Sequence, residues 1–443
     1  DSHEFCSQVY AAGVRVFVTE RPIALPADAT VVMVENGREA LAHISAARFG
    51  FPDRKMVTIG VTGTKGKTTT THMIKTILEA CGKKVGMIGT NGVYFPGTFE
   101  PTRNTTPESY QLHQYFSRML EAGCEYMVME VSSQDVKMHR TDGILFSYGI
   151  FINISPDHIG PDEHENFEEY FHCKSMIFKQ CLTGIANQDD ELVMKAAKHG
   201  LCPVYAYSLM HPADFQAENI RYLAEKDFVG LEFAMKGKVS GTVRVGLPGK
   251  FNVSNAMAAL SVCSLLGLPA NTLTAALEKI HVDGRMEIAF ASEDYKVIID
   301  YAHNAVSMES LLNTLRDYHP KRLVVVFGCG GNRAKERRYA MGETAGKLAD
   351  FSILTADNSR FEKVEDILSD IKSALIPTGG EYVEIPDRRE AIRYAVTHAE
   401  KGDMIAVIGK GHEDYQEVNG VRTHFLDREV IEEVLPAIGQ KNV

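Results

Sequence analysis

The sequence predicts an α/β protein in three domains, the larger two built on parallel sheets with helices on both faces. Three observations predict it. Apolar runs of strand length alternate with helical stretches through most of the chain, the pattern of strand–helix–strand crossovers. The alternation restarts after Phe51-Pro52-Asp53 and again after Asp283-Gly284-Arg285. At 443 residues the chain is also too long for one hydrophobic core.

Residues 1–55 hold two short strands, Val14–Val18 and Thr30–Val34, and a helix from Arg38 to Phe49. This is a small α/β unit, short for a complete domain, with Phe51-Pro52-Asp53 as its linker. Residues 56–283 form the central domain. Met56–Val61, Val85–Gly89, Tyr126–Val131 and Tyr148–Ile154 read as buried strands, with a helix at Tyr110–Ala122. Between Val204 and Val245 the strands become shorter and more polar, which predicts an antiparallel extension. An Ala-rich helix, Asn252–Leu266, follows. In residues 284–443 the strands Lys296–Asp300, Arg322–Phe327, Phe351–Thr355 and Asp403–Ile408 predict a second doubly wound, Rossmann-like sheet.

Composition narrows the function classes. A formal net charge of −11 argues against general nucleic-acid binding and against an anionic membrane surface. No apolar run approaches the ~20 residues of a membrane span. The eight cysteines lack C-x-x-C spacing, so free thiols in a reducing cytoplasm are expected rather than disulfides or zinc ligands. No secretory signal is visible, and a start at Asp1 rather than Met leaves room for a segment upstream.

The central chemistry is read at Met56–Thr71. A strand breaks into a glycine-punctuated turn, and Met73, Ile74, Ile77 and Leu78 then follow at helical spacing. Strand, glycine turn and helix N-terminus make an anion site, because free backbone N–H groups converge where glycine lets the chain close on a phosphate. Gly63, Thr64, Lys65, Gly66, Lys67, Thr68 and Thr69 would form that P-loop ATPase-like cradle. Lys67 would reach the terminal phosphates, and the Thr68 hydroxyl would reach magnesium. The common G-x-x-x-x-G-K-[ST] spacing wants glycine at position 61, where this chain has Val61. A Gly/Thr-rich loop before an ordinary helix is the competing reading.

Ligands of open α/β sheets gather at the carboxyl ends of strands. Glu130 closes one buried strand, a placement suited to magnesium and its preference for hard oxygen ligands. The stretch from Asp157-His158 through Glu163-His164 to Lys174 offers acids and histidines, though such a run also suits a solvated loop. Lys174 is odd there, since an ammonium cannot coordinate a metal. In the last domain, Phe327–Arg333, Asp357–Arg360 and Gly409–Glu413 each follow a strand and suggest a cleft.

Together these residues resemble the Mur ligases of peptidoglycan synthesis, ATP-dependent amide-bond formers with three domains. The resemblance rests on Thr62–Thr70, Asn104-Thr-Thr-Pro107, Met129–Ser133, Asp157-His158, Gly249–Val253, Gly284–Glu287, Asp300–His303, Phe327–Gly331 and Gly409–Glu413. They occur in the family's order across nearly the whole chain. Within the family, the chain looks most like the member that adds the third amino acid to UDP-N-acetylmuramoyl-L-alanyl-D-glutamate.

The resemblance implies a role for each matching position. Lys67 would hold the ATP phosphates, with Thr68 and Glu130 on one magnesium. His158 would hold a second, with Asn153 nearby, and Lys174 falls where the family carries a carbamylated lysine. Arg285, His303 and Asn304 would contact the nucleotide from the C-terminal domain, with closure about the Asp283-Gly284 hinge. Thr105, Thr106, Ser132 and Arg140 would grip the UDP-muramoyl dipeptide. Arg333, Asp357, Asn358, Arg360 and Glu413 would surround the incoming amino acid. Glu413 or His158 would assist its amine. A monomer is expected.

Departures from the family pattern qualify these roles. Lys65 replaces a usual Asn, Gln134 a frequent His, and the stretch from Asp157 to Lys174 is about two residues longer than usual. Asp1–Phe5 matches the middle of the family's N-terminal domain, so uridine-binding strands would be missing. Asp357-Asn358-Ser359-Arg360 keeps the Arg of the diaminopimelate-selecting Asp-Asn-Pro-Arg and has Ser for Pro. It therefore favours meso-diaminopimelate over L-lysine. Two other readings stay open: a related ligase with another acceptor, such as a folylpolyglutamate-synthase-like enzyme, and a P-loop ATPase acting as a switch. Asn104–Pro107 and Gly409–Glu413 argue against the first. Amine-dependent phosphate release separates the second.

Overall fold

Strand Val57–Thr62 lies within a mixed sheet and pairs in parallel with Tyr126–Glu130 on one side and Phe146–Phe151 on the other. The structure is a computed structural model that describes residues 2–157, 159–160 and 163–439. Its contacts divide the chain into two compact units, residues 1–216 with 257–269, and residues 217–256 with 270–443.

In the first unit, Val85–Gly89 continues the sheet beyond Tyr126–Glu130. Cys181–Asn187 and then Val204–Ser208 continue it beyond Phe146–Phe151, all in parallel. Val85–Gly89 is buried along its whole length, as are four of the five residues of Tyr126–Glu130. Burial on both faces is why these strands read as continuous apolar runs rather than as alternation. Val204–Ser208 runs parallel to its neighbour, so the first strand of the expected antiparallel extension is not antiparallel. The antiparallel pairing comes later, in Val229–Gly237 against Gly241–Val245 in the second unit. Toward the N-terminus, Val16–Thr19 pairs in parallel with Thr30–Met33. Asn36 caps the helix Gly37–Arg48 by accepting from the amides of Arg38 and Glu39.

The second unit carries a six-stranded sheet. From one edge its order is Glu287–Ala291, Tyr295–Asp300, Asp403–Ile408, Arg322–Phe327, Phe351–Leu354 and Tyr382–Glu384. Only the first pair is antiparallel. One core cluster includes Ile298, Val325, Leu312 and Ile371, and another includes Val297, Val326, Ile392 and Ile431. Neighbouring residues of one strand enter different clusters, which is the signature of a sheet covered on both faces. A hairpin, Tyr415–Val418 with Val421–His424, follows the last long strand. All eight cysteines are free thiols, as expected.

Candidate active site

In the first unit, strand Val57–Thr62 hands over to helix Lys67–Ala80 through four residues. Gly66 caps the helix at φ +87°, a left-handed conformation in which a side chain would be strained. The turn is held from outside as well. Lys65 N donates to Asn153 Oδ1 and Asn153 Nδ2 donates to Lys65 O, both at 3.0 Å, while Thr64 N donates to Asn153 O. Asn153, placed by the resemblance near a metal site, here fixes the loop backbone. The Lys65 ammonium pairs with Asp157 at 3.2 Å.

Two lysines meet at this turn. Lys67 Nζ donates to Gly63 O at 2.8 Å and to Thr64 O at 3.3 Å, and Lys174 Nζ donates to Gly63 O at 2.8 Å. Lys174 is buried and lies 4.9 Å from the Tyr170 ring centre. Burial, then the neighbouring Lys67 charge, holds its amine well below the ordinary lysine range. The Tyr170 hydroxyl shares a 2.9 Å hydrogen bond with Thr64 Oγ1, and burial pushes that phenol up to about 12.

Glu130 ends its strand beside the helix N-terminus and is 1% exposed. Its carboxylate accepts from Thr68 Oγ1 at 2.9 Å, from Thr90 N at 2.8 Å and from Thr90 Oγ1 at 3.2 Å. A Cβ on Gly89 would collide with that carboxylate, so a larger residue there would push it from its place. Hydroxyl and amide partners, with no cation among them, leave a hard oxygen anion suited to magnesium.

Of the four residues assigned to the muramoyl substrate, Thr105 Oγ1 reaches Thr90 Oγ1 at 3.1 Å. Thr106 is buried, its hydroxyl bonded to Glu130 O and Asp135 Oδ2. Ser132 and Asp135 form a capping box. Burial raises the Asp135 carboxyl to about 6 despite its hydroxyl and amide donors. Arg140 pairs with Glu108 at 2.7 Å and donates to Thr106 O. His158 lies outside the described residues.

In the second unit, the ends of three strands converge. Asn358 Nδ2 donates to Glu413 Oε2 at 2.8 Å, and the Tyr301 hydroxyl donates to Glu413 Oε1 at 3.3 Å. Asn358 Oδ1 accepts from Glu417 N at 2.9 Å and lies 3.4 Å from Lys410 Nζ. Arg360 has φ +52°. It is held in that left-handed conformation because its N donates to Glu417 O and its O accepts from Asn419 N. Its side chain donates to Gly331 O at 2.9 Å. Asp357 Oδ1 accepts from Asn358 N, whereas Arg333 is exposed. Arg285 lies over the Tyr301 ring at 4.9 Å, and His303 Nδ1 meets Tyr301 O at 2.9 Å. Asn304 caps helix Ala305–Arg316. Sequence reasoning missed Thr90, Tyr301 and Lys410, although each stands within two residues of a strand end.

The geometry is that of a phosphate cradle with a buried carboxylate in one unit and a charged polar cluster in the other. The description "Mur ligase middle domain" matches residues 61–263, and "Mur ligase, glutamate ligase domain" matches residues 284–411. The chain belongs to the Mur ligase family. It is therefore an ATP-dependent, amide-bond-forming ligase. This Mur ligase is 39% identical over 425 residues to the UDP-N-acetylmuramoyl-L-alanyl-D-glutamate–2,6-diaminopimelate ligase of Caldanaerobacter subterraneus, covering 96% of this chain and 87% of that protein. It is 38% identical to the Clostridium botulinum enzyme of the same name, covering 99% of this chain and 90% of that one. A solved structure of a ligase with that name superposes with TM-score 0.76 at 29% identity, over 100% of this chain and 90% of the other. Mycobacterium tuberculosis folylpolyglutamate synthase gives TM-score 0.64 at 17% identity, over 84% of this chain and 92% of that one, which shows a shared fold alone.

Proposed function

We propose that this Mur ligase adds meso-diaminopimelate to the γ-carboxylate of UDP-N-acetylmuramoyl-L-alanyl-D-glutamate in peptidoglycan synthesis. The observation that carries the choice of amino acid is the joining of Arg360 and Glu413 through one loop cluster. Asn358 ties the Asp357–Arg360 loop to Glu413, and Arg360 N donates to Glu417 O of the following hairpin. A guanidinium and a carboxylate carried by one loop cluster suit an amino-acid centre, which carries one carboxylate and one ammonium. The distal end of diaminopimelate is such a centre, and that of lysine is an ammonium alone.

In the proposed reaction a γ-carboxylate oxygen of the D-glutamyl residue attacks the γ-phosphorus of ATP. The bond to the β,γ-bridging oxygen breaks, and ADP leaves with its electron pair. The amine then adds to the acyl carbon and loses a proton, and phosphate departs. Lys67 holds the phosphoryl oxygens, and Gly63, Thr64, Lys65, Gly66 and Thr69 complete the cradle, since such transfer is mostly positioning and electrostatics. Magnesium, held by Thr68 and Glu130, would neutralise phosphoryl charge. Lys174 is proposed to carry a carbamate, its amine taking up CO2 and releasing a proton. Burial and the neighbouring Lys67 charge lower its basicity, which favours the neutral amine that this step requires. That carbamate with His158 would hold a second magnesium.

The proposal keeps the remaining assignments as well: Thr105, Thr106, Ser132 and Arg140 for the muramoyl dipeptide, Arg285, His303 and Asn304 for ATP, and Arg333 and Asp357 for the amino acid. It divides the chain into a substrate-binding segment 1–55, an ATP-binding domain 56–283 and an amino-acid domain 284–443. It places a monomer in the cytoplasm, where UDP-linked precursors are handled. No described helix is long and apolar enough to cross a membrane. The test is phosphate release with the UDP-muramoyl dipeptide and, in parallel, meso-diaminopimelate, lysine and ornithine. Release that depends on diaminopimelate supports the reading. ATP hydrolysis indifferent to every amine would make the chain a switch instead.

A further inference from the structure

Lys410 follows strand Asp403–Ile408 by two residues, yet it does not point to solvent. Its side chain is 0% exposed. Its ammonium donates to Tyr415 O, lies 3.4 Å from Asn358 Oδ1 and is 3.6 Å from the Glu413 carboxylate. One buried cation thus touches the hairpin, the Asp357–Arg360 loop and the Glu413 turn.

Such a position dictates how its neighbours face. A side-chain amide can be turned either way, and its orientation is set by the donors and acceptors around it. Asn358 Oδ1 meets the Glu417 N–H and the Lys410 ammonium, both donors. Asn358 Nδ2 is therefore turned toward Glu413 Oε2, which it reaches at 2.8 Å. With Tyr301 on Oε1, the Glu413 carboxylate is oriented through both oxygens. An isolated ammonium is costly to bury, and burial lowers the basicity of this one. The neighbouring Asp357 and Glu413 charges act in the opposite direction and support the cation.

We infer that Lys410 is a positioning residue of the amino-acid site, fixing the Asn358 amide and the Glu413 carboxylate in the orientation that receives the incoming amino acid. The inference rests on the amino-acid reading of this cluster given above. Lys410 need not touch the substrate. Its effect passes through Asn358 and Glu413, so it belongs to amino-acid binding and not to ATP binding.

The experiment compares Lys410→Met, which keeps the length and removes charge and donors, with Lys410→Gln, which keeps a donor and removes charge. Lys410→Met is expected to raise the KM for meso-diaminopimelate about tenfold or more, with the KM values for ATP and the muramoyl dipeptide within about twofold of the parent. Lys410→Gln falls between, and it carries the test alone where Lys410→Met does not fold. In a double-mutant cycle, Lys410→Gln with Glu413→Gln should raise that KM by less than the product of the single effects. An unchanged amino-acid KM, a parallel rise in all three KM values, or a fully multiplicative cycle overturns the inference. An unsubstituted protein showing no amine-dependent turnover overturns the ligase reading itself, and the inference with it.

Discussion

Lys67 and Lys174, 107 positions apart in the chain, donate to the same carbonyl oxygen, that of Gly63, each at 2.8 Å. Two positive charges at one acceptor would repel, and burial together with Lys67 lowers the basicity of Lys174. In the proposed mechanism Lys67 serves the phosphate cradle, and its charge also lowers the basicity of Lys174. Lys67→Ala should abolish ADP release that depends on the muramoyl dipeptide, by at least about 10²–10³-fold. Turnover within tenfold of the parent would remove Lys67 from the mechanism.

For Lys174 itself, Lys174→Ala should be inactive and regain turnover with a short carboxylic acid, which restores the missing anion, but not with bicarbonate. Carbon-13 NMR of protein equilibrated with labelled CO2 should show a carbamate carbon in the parent that is missing from the variant. Parental activity in Lys174→Ala excludes the carbamate.

The parts of this site legible in the sequence were those with a local signature. Gly66-Lys67-Thr68 announces a strand–turn–helix by composition, and Glu130 announces itself as a carboxylate ending an apolar run. Thr90 was not legible, because a threonine after a strand is unremarkable until the fold brings Glu130 against it. Lys410 stands in a glycine-rich turn with no local signal of burial, and the hairpin packed around it is what buries it. Cys181–Asn187 escaped notice as a strand because threonine, glycine and asparagine interrupt its apolar character. Val204–Ser208 carries a diluted signal of a parallel strand, because three of its five residues are half-exposed.

His113 gives a pH-dependent expectation remote from the phosphate cradle. It is buried on helix Ser109–Glu121, edge-on to Phe116 at 5.7 Å, with neither ring nitrogen hydrogen-bonded. Burial lowers its pKa to about 4, against 6.5 for a free imidazole. Between those values the unfolded chain binds the proton and the folded chain does not. Stability is therefore full above about pH 6.5 and falls as pH drops toward 4, by up to about 3 kcal/mol from this residue. His113→Leu should flatten that part of the curve in urea titrations at pH 7 and 4.5. Equal slopes in parent and variant would assign the acid sensitivity elsewhere.

Arg360 is proposed to carry the choice between amino acids. Its backbone is clamped by Glu417 and Asn419, so the loop keeps two hydrogen bonds when the guanidinium and its bond to Gly331 O are removed. Arg360→Ala should raise the KM for meso-diaminopimelate about 10- to 100-fold, the range for losing a charge-assisted hydrogen bond. Discrimination against lysine should shrink by the same factor. Equal losses for both amino acids would mean that the guanidinium supports the loop and does not select.

Arg388 and Asp427 test whether the amino-acid cluster is held from beneath. Both are fully buried, with Nε to Oδ1 at 2.8 Å and Nη2 to Oδ2 at 2.7 Å. The same guanidinium donates to Ala356 O at 3.3 Å and Ile408 O at 3.0 Å, the residues that precede Asp357 and Gly409. It therefore joins the two strand ends that lead into the Asp357–Arg360 and Gly409–Glu413 loops, those proposed to receive the amino acid. Arg388→Ala strands a buried carboxylate and should destabilise the protein by about 3–5 kcal/mol. Arg388→Met with Asp427→Leu removes both charges and should recover most of that stability, because the desolvation of an ion pair offsets much of its attraction. The double variant still lacks the donors to Ala356 and Ile408, so its KM for the amino acid should stay raised while its KM for ATP does not. A folded double variant with parental amino-acid KM would reduce the pair to a stabilising element alone.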